Sequence, residues 1–127
     1  MGLNEKRKIK ELQETILPGR VKEIEEICGK AIPYEVDWSS FDDVNSLNFL
    51  DNCSCHRLNM ALRVICQDDM GKEAVRDGIK LIKLKNVRER GEMEMSFDGG
   101  VLEMHNAYGQ QAYHSDNEIR ELLMQKL

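Results

Sequence analysis

The chain has 127 residues, of which 41% are hydrophobic and 32% charged, enough for one domain that buries about two thirds of its surface without staples. Two prolines and nine glycines exclude a disordered or collagen-like chain. A net charge of −5 argues against a general nucleic-acid binder.

Residues 4–16 space Ile9, Leu12 and Ile16 at helical intervals, with Glu and Lys opposite. Pro18-Gly19 predicts a break or kink. Val21, Ile24, Ile27 and Cys28 resume the apolar stripe, and Gly29 is a plausible stop. The chain therefore opens with two helices or one bent helix.

The period changes over residues 32–38. Ile32, Tyr34, Val36 and Trp38 alternate with Pro33, Glu35 and Asp37, as in a half-buried strand. Ser39-Ser40 and Asp42-Asp43 read as a turn and a helix start. Val44, Leu47 and Leu50 then form one helical stripe, and Leu58, Ala61, Leu62, Ile65 and Cys66 a stronger one. Asp68 or Asp69 caps a short helix through Ala74 and Val75, with Gly78 as its stop.

Three strands are expected next. The first spans residues 79–87, and the second carries Met93, Met95 and Phe97. After the turn Asp98-Gly99-Gly100, the third carries Val101, Leu102, Met104 and Ala107. Ser115-x-x-Glu118 is a capping box that opens a last helix with Ile119, Leu122 and Leu123 inward. The reading is a single α+β domain over residues 1–127, in the order α-α-β-α-α-α-β-β-β-α. Its four strands are expected to form a mainly antiparallel sheet, the last three as a meander, with helices mostly on one face.

The charge is uneven. Residues 31–78 hold four positive and nine negative side chains, whereas residues 1–30 hold seven and six, and residues 79–127 hold seven and eight. An acidic central face attracts a positively charged partner, although acids also cap helices and keep a surface hydrated. The N-terminal lysines precede no apolar segment of a signal peptide, and no apolar run reaches the roughly 18 residues of a membrane span. Lys6 stands where a myristoylation motif needs Ser or Thr. A cytoplasmic location without membrane partner is expected. Cys28, Cys53, Cys55 and Cys66 are then reduced thiols rather than disulfides, and the sequon at Asn52 is idle.

Four constellations carry candidate chemistry. In Cys53-Ser54-Cys55-His56, the pair Cys53 and His56 shares a face of an α-helix and can touch one zinc ion. Cys55 points elsewhere, and Cys66 lies about 16 Å further along the axis, so the helix alone completes no tetrahedral site. Cys53 near His56 and Arg57 also suggests a reactive thiol, but no glycine-rich nucleophile turn accompanies it. Glu35 and Asp37 share one strand face, and Glu103 and His105 another; neighbouring strands would join them into an acid–base site. The same alternation is what a sheet with one solvated face produces.

Lys80, Lys83, Lys85, Arg88 and Arg90 form a basic run without interleaved aromatics. It reads as the guard of an edge strand rather than a nucleic-acid platform. The methionines, Met60, Met70, Met93, Met95 and Met104 among them, read as core filling. The polar segment 106–114 carries Tyr108 and Tyr113, residues favoured in recognition surfaces.

No phosphate loop, dinucleotide fingerprint, zincin helix or serine elbow is present. The expected function is a non-catalytic protein-interaction domain of adaptor, inhibitor or neutralising type, without cofactor, binding another protein of basic character. Its expected contact residues are Tyr108, Tyr113, Asp42, Asp43, Asp68 and Asp69. The alternatives are a ligand-binding or hydrolytic site at Glu35, Asp37, Glu103 and His105, and a zinc or thiol site at Cys53, Cys55 and His56.

Overall fold

A computed structural model describes residues 2–127. Its elements follow the expected order: α1 (Leu3–Glu11), α2 (Leu17–Cys28), β1 (Tyr34–Val36), α3 (Val44–Leu50), α4 (His56–Ile65), α5 (Asp69–Gly78), β2 (Leu81–Asn86), β3 (Glu94–Asp98), β4 (Val101–Asn106) and α6 (Asp116–Lys126). They form one small domain.

The sheet is mixed, which corrects the antiparallel expectation. Its strand order is β1-β2-β4-β3. β1 and β4 both run parallel to β2, and only β3 and β4 are antiparallel. The hairpin is local: Asp98 opposes Val101 across a turn in which Gly99 and Gly100 have φ of 58° and 83°, the signs a two-residue turn demands. The connection from β2 to β3 is not a hairpin. It runs through a 3-10 turn at Arg90–Glu92 closed by a capping box from Glu89, and β4 takes the place beside β2. The lysines of β2 therefore guard no edge, because β2 is an interior strand.

Helices cover one face only. Ile82, Leu84, Leu102, Met104 and Phe97 point into the core, where they meet Leu47, Leu58, Leu62, Ile119 and Leu123. Between them along the strands, Lys83, Lys85, Glu103 and His105 alternate onto the opposite face. Met104 is fully buried, but Met70 is 81% exposed and Met60 is exposed as well, so these two methionines do not fill the core.

Of the two expected openings, two helices broken at Pro18 or a single helical run, the structure has the single run, with its irregularity ahead of the proline. The chain stays helical from α1 to α2 through a π-turn at Leu12–Ile16, where Leu17 N–H reaches back to Leu12 O. Pro18 sits at the start of α2, where its missing N–H costs little. One extra residue in the turn re-sets the hydrogen-bond register before the proline, so the helix shifts phase instead of ending. α3 and α4 are joined the same way by a π-turn at Asp51–Cys55, with His56 N–H bonded to Asp51 O. α1 packs on α3, α2 on α4, and α4 on α6. Among the described residues, no helix is long and apolar enough to cross a membrane.

Candidate functional site on the open sheet face

The uncovered side of the sheet is built from registered rows. Glu35 lies beside Lys83, Lys83 beside Glu103, and Glu103 beside Ser96. In the next row Lys85 lies beside His105, and His105 beside Glu94. A concavity of about 490 Å³ opens here, lined by Glu35, Asp37, Trp38, Lys83, Lys85, Glu103 and His105 together with Val36 and Leu84. The four residues of the expected acid–base alternative thus line one hollow.

They do not meet as that alternative requires. β1 and β4 are not neighbours, and β2 sets Lys83 and Lys85 between the two acidic groups. The result is a row of carboxylate, ammonium and carboxylate. Across the two rows His105 approaches Glu103, with Nε2 and Oε2 3.8 Å apart. Among the described residues, Lys83, Lys85 and Glu35 make no ion pair within 4.0 Å. The face offers charge of both signs, with Glu35, Lys83 and Lys85 outside any such ion pair.

Trp38 forms the rim. It belongs to a 3-10 turn (Trp38–Ser40) fastened to the end of β2: Asn86 N–H donates to Ser40 Oγ at 2.9 Å, and Asn86 Nδ2 donates to Ser40 O at 3.0 Å. Asn86 Oδ1 also accepts from Tyr108 N–H. One buried amide thereby holds the tryptophan turn against the chain leaving β4.

The expected contact residues are placed elsewhere. Tyr108 is fully buried and stacks on Phe41, with ring centroids 5.4 Å apart, so it is part of the core and not of a contact surface. The loop folds inward because Ala107 pairs with Ala112 and a 3-10 turn at Tyr108–Gln110 tucks the ring under α3. The buried Tyr108 hydroxyl has no hydrogen-bond partner within bonding geometry among the described residues, and burial pushes its pKa upward. Tyr108→Phe is accordingly expected to leave stability unchanged or raise it by up to about 1 kcal/mol, since it removes an unsatisfied buried group. Urea denaturation checks this; a loss above about 1 kcal/mol would show that the hydroxyl is bonded. Tyr113 is half-buried beneath the Arg57 guanidinium, 4.4 Å from its ring centroid.

Capping occupies half of the acidic set. Asp43 accepts from Ser46 N–H and Oγ at the start of α3, bonds that hold its carboxyl below the ordinary value of 3.8. Asp68 accepts from Gly71 N–H at the start of α5. Asp42 lies 3.6 Å from Arg88 with both side chains largely exposed, and Asp69 is exposed. Asp43 and Asp68 thus open two different helices, α3 and α5.

Cys53 and His56 also separate. The π-turn widens the helix, so that Cys53, Ser54 and Cys55 are buried in succession while His56 stays half-exposed. An i, i+3 pair faces one direction in an α-helix, not across an i→i+5 turn. Burial raises the Cys53 thiol and pushes Cys55 to about 12, opposite to what a reactive thiol needs. Among the described residues, no group of three or more His, Cys, Asp or Glu is placed to hold a metal.

One polar cluster was not expected from the sequence. Arg20 donates through Nε and a terminal nitrogen to both oxygens of Asp51, at 2.8 and 2.9 Å, and through the other nitrogen to Glu23 at 3.1 Å. Asn59, fully buried, donates to Glu23 and to Arg20 O and accepts from the Tyr34 hydroxyl. The cluster ties α2, the second π-turn, α4 and β1 together. Its signal in the sequence is Asn59, a polar residue between Leu58 and Ala61 on the apolar stripe.

No family model matches this chain, and no curated protein or solved structure matches it either.

Proposed function

We propose that the protein is a non-catalytic protein-interaction domain whose contact surface is the open face of the sheet. The observation that carries this reading is the registered row Glu35, Lys83 and Glu103, which lines one hollow and in which Glu35 and Lys83 are held in no ion pair within 4.0 Å among the described residues. Unpaired charge of alternating sign selects a partner by complementarity and sets its register. Trp38 at the rim supplies the aromatic anchor that such contacts favour. The partner carries basic groups over Glu35, Asp37 and Glu103 and acidic groups over the two lysines. A second reading, a small polar ligand held by Glu35, Asp37, Glu103 and His105, draws support from their common hollow.

A photo-cross-linking residue placed in cells at Glu35 or Glu103 is expected to give a discrete protein adduct. The same residue at Glu25 on α2 or Glu121 on α6, both exposed, is expected to give none. Introducing Lys83→Glu and Lys85→Glu should abolish the sheet-face adduct while the far-ultraviolet spectrum stays unchanged. Equal labelling from sheet and helices, or adducts indifferent to the charge reversal, overturns the proposal. Absence of any protein adduct leaves the face to the small-ligand reading.

A further inference from the structure

The C-terminal ends of α2 and α4 meet through two cysteines. Cys28 is the last residue of α2, followed by Gly29 at φ 85°, and Cys66 caps the end of α4. Their sulfurs lie 3.0 Å apart. Among the described residues no other two thiols are in contact. Forming an S–S bond of about 2.05 Å asks the sulfurs to move by roughly 1 Å, a shift within reach of side-chain adjustment at two helix ends.

The surroundings favour Cys66 as the sulfur that reacts first. Cys28 is completely buried, whereas Cys66 is 5% exposed beside the turn at Gln67. Burial raises the Cys66 thiol, as it does the other three, and the Cys28 sulfur and the Lys72 and Arg76 cations of α5 offset part of that rise; what sets Cys28 and Cys66 apart is the 3.0 Å contact between their sulfurs. Arg76 also lies over Gly29, and Lys30 Nζ donates to Arg76 O at 2.9 Å. α5 therefore holds the end of α2 in place and keeps Cys28 aligned with Cys66.

We propose that Cys28 and Cys66 are an oxidation site, which a peroxide converts into an intramolecular cystine linking the ends of α2 and α4. The Cys66 thiolate attacks one peroxide oxygen, the O–O bond breaks, and Cys66 becomes a sulfenic acid as hydroxide takes the released proton to form water. Cys28 sulfur then attacks Cys66 sulfur, the S–O bond breaks, and the departing hydroxide leaves as water with the Cys28 proton. Two thiols are oxidised by two electrons in all, and both peroxide oxygens are reduced to water. Cys53 and Cys55 take no part.

Because the link joins residues 38 apart, it restricts the unfolded chain, and Tm is expected to rise by about 10 °C on oxidation. The native protein is treated with hydrogen peroxide, denatured, alkylated and digested. The expected product has lost two hydrogens, retains two alkylated thiols at Cys53 and Cys55, and yields a linked peptide containing Cys28 and Cys66. Dithiothreitol reverses both the mass change and the Tm shift. Cys66→Ser should remove the linked peptide, and Cys53→Ala with Cys55→Ala should keep it. The wild-type peptide map decides even where a variant fails to fold. Sulfinic acid at Cys66 with Cys28 still free, or a cystine through Cys53 or Cys55, overturns the proposal.

Discussion

Gly71→Ala is expected to destabilise the protein by about 2–4 kcal/mol, a loss that comes from backbone contact rather than conformational entropy. A Cβ at Gly71 would lie 1.7 Å from the carbonyl oxygen of Ile65. Neither side can yield cheaply. Ile65 ends α4, and Gly71 N–H is engaged by the Asp68 cap in the first turn of α5. Alanine is otherwise a better helix former than glycine, so the expected sign opposes propensity. Gly19 provides the contrast: it lies within α2, and nothing stands within 4 Å of its added Cβ. Gly19→Ala should therefore gain about 0.5–1 kcal/mol. Urea midpoints for the two variants measure the difference. Equal and favourable shifts would show that α4 and α5 do not approach as closely as described.

Arg20→Met is expected to cost about 2–3 kcal/mol, or roughly 10 °C in Tm, while retaining the packing of the aliphatic stem. The figure stands below that for a fully buried pair because the Arg20 and Asp51 side chains are 23% and 29% exposed. The bond to Asp51 is the largest cause holding Arg20 charged, and its loss leaves two carboxylates without their shared donor. Asp51→Asn combined with Arg20→Met should reveal a coupling of about 1 kcal/mol or more. Acid titration gives a second check. The Asn59 hydrogen bond first, and Arg20 next, hold the Glu23 carboxyl below its ordinary value of 4.5. A lowered folded-state pKa stabilises above the unfolded value and is lost as pH falls through the folded one. The wild type should thus lose stability below about pH 4.5 more steeply than Arg20→Met. Parallel acid limbs would count against the described cluster.

Local patterns made the elements legible and non-local pairing made the site obscure. Ser115-x-x-Glu118 forms its capping box, Asp43 and Asp68 cap their helices, and Gly29 takes the left-handed conformation at the end of α2. Each depends on residues within four positions of each other. Strand partnership does not. Nothing in the spacing of Glu35 and Glu103 announces that Lys83 stands between them, because β2 enters the sheet by parallel pairing with both neighbours. Spacing alone therefore places the lysines on an edge and leaves open whether the carboxylates meet or line a solvated face. The π-turns were hidden for another reason: a single inserted residue leaves the apolar stripes on either side intact while turning Cys53, Ser54 and Cys55 inward together. Tyr108 misled through composition. A segment rich in Gly, Gln and Tyr reads as an exposed loop, yet the Ala107–Ala112 bridge folds its aromatic ring into the core.

The mixed strand order has a consequence for how copies of the molecule meet. Both outer strands are short and carry acids: β1 has three residues preceded by Pro33 and holds Glu35 beside Asp37, and β3 begins at Glu94 and ends at Asp98. With its lysines gathered on an interior strand, the sheet carries acids at each margin, of which Asp98 is paired with Lys126 while Glu35, Asp37 and Glu94 are in no ion pair among the described residues. Two such margins brought together repel, and a proline and short length reduce what backbone pairing offers in return. Edge-to-edge pairing of copies through β1 or β3 is thereby disfavoured, and lateral growth into ribbons with it.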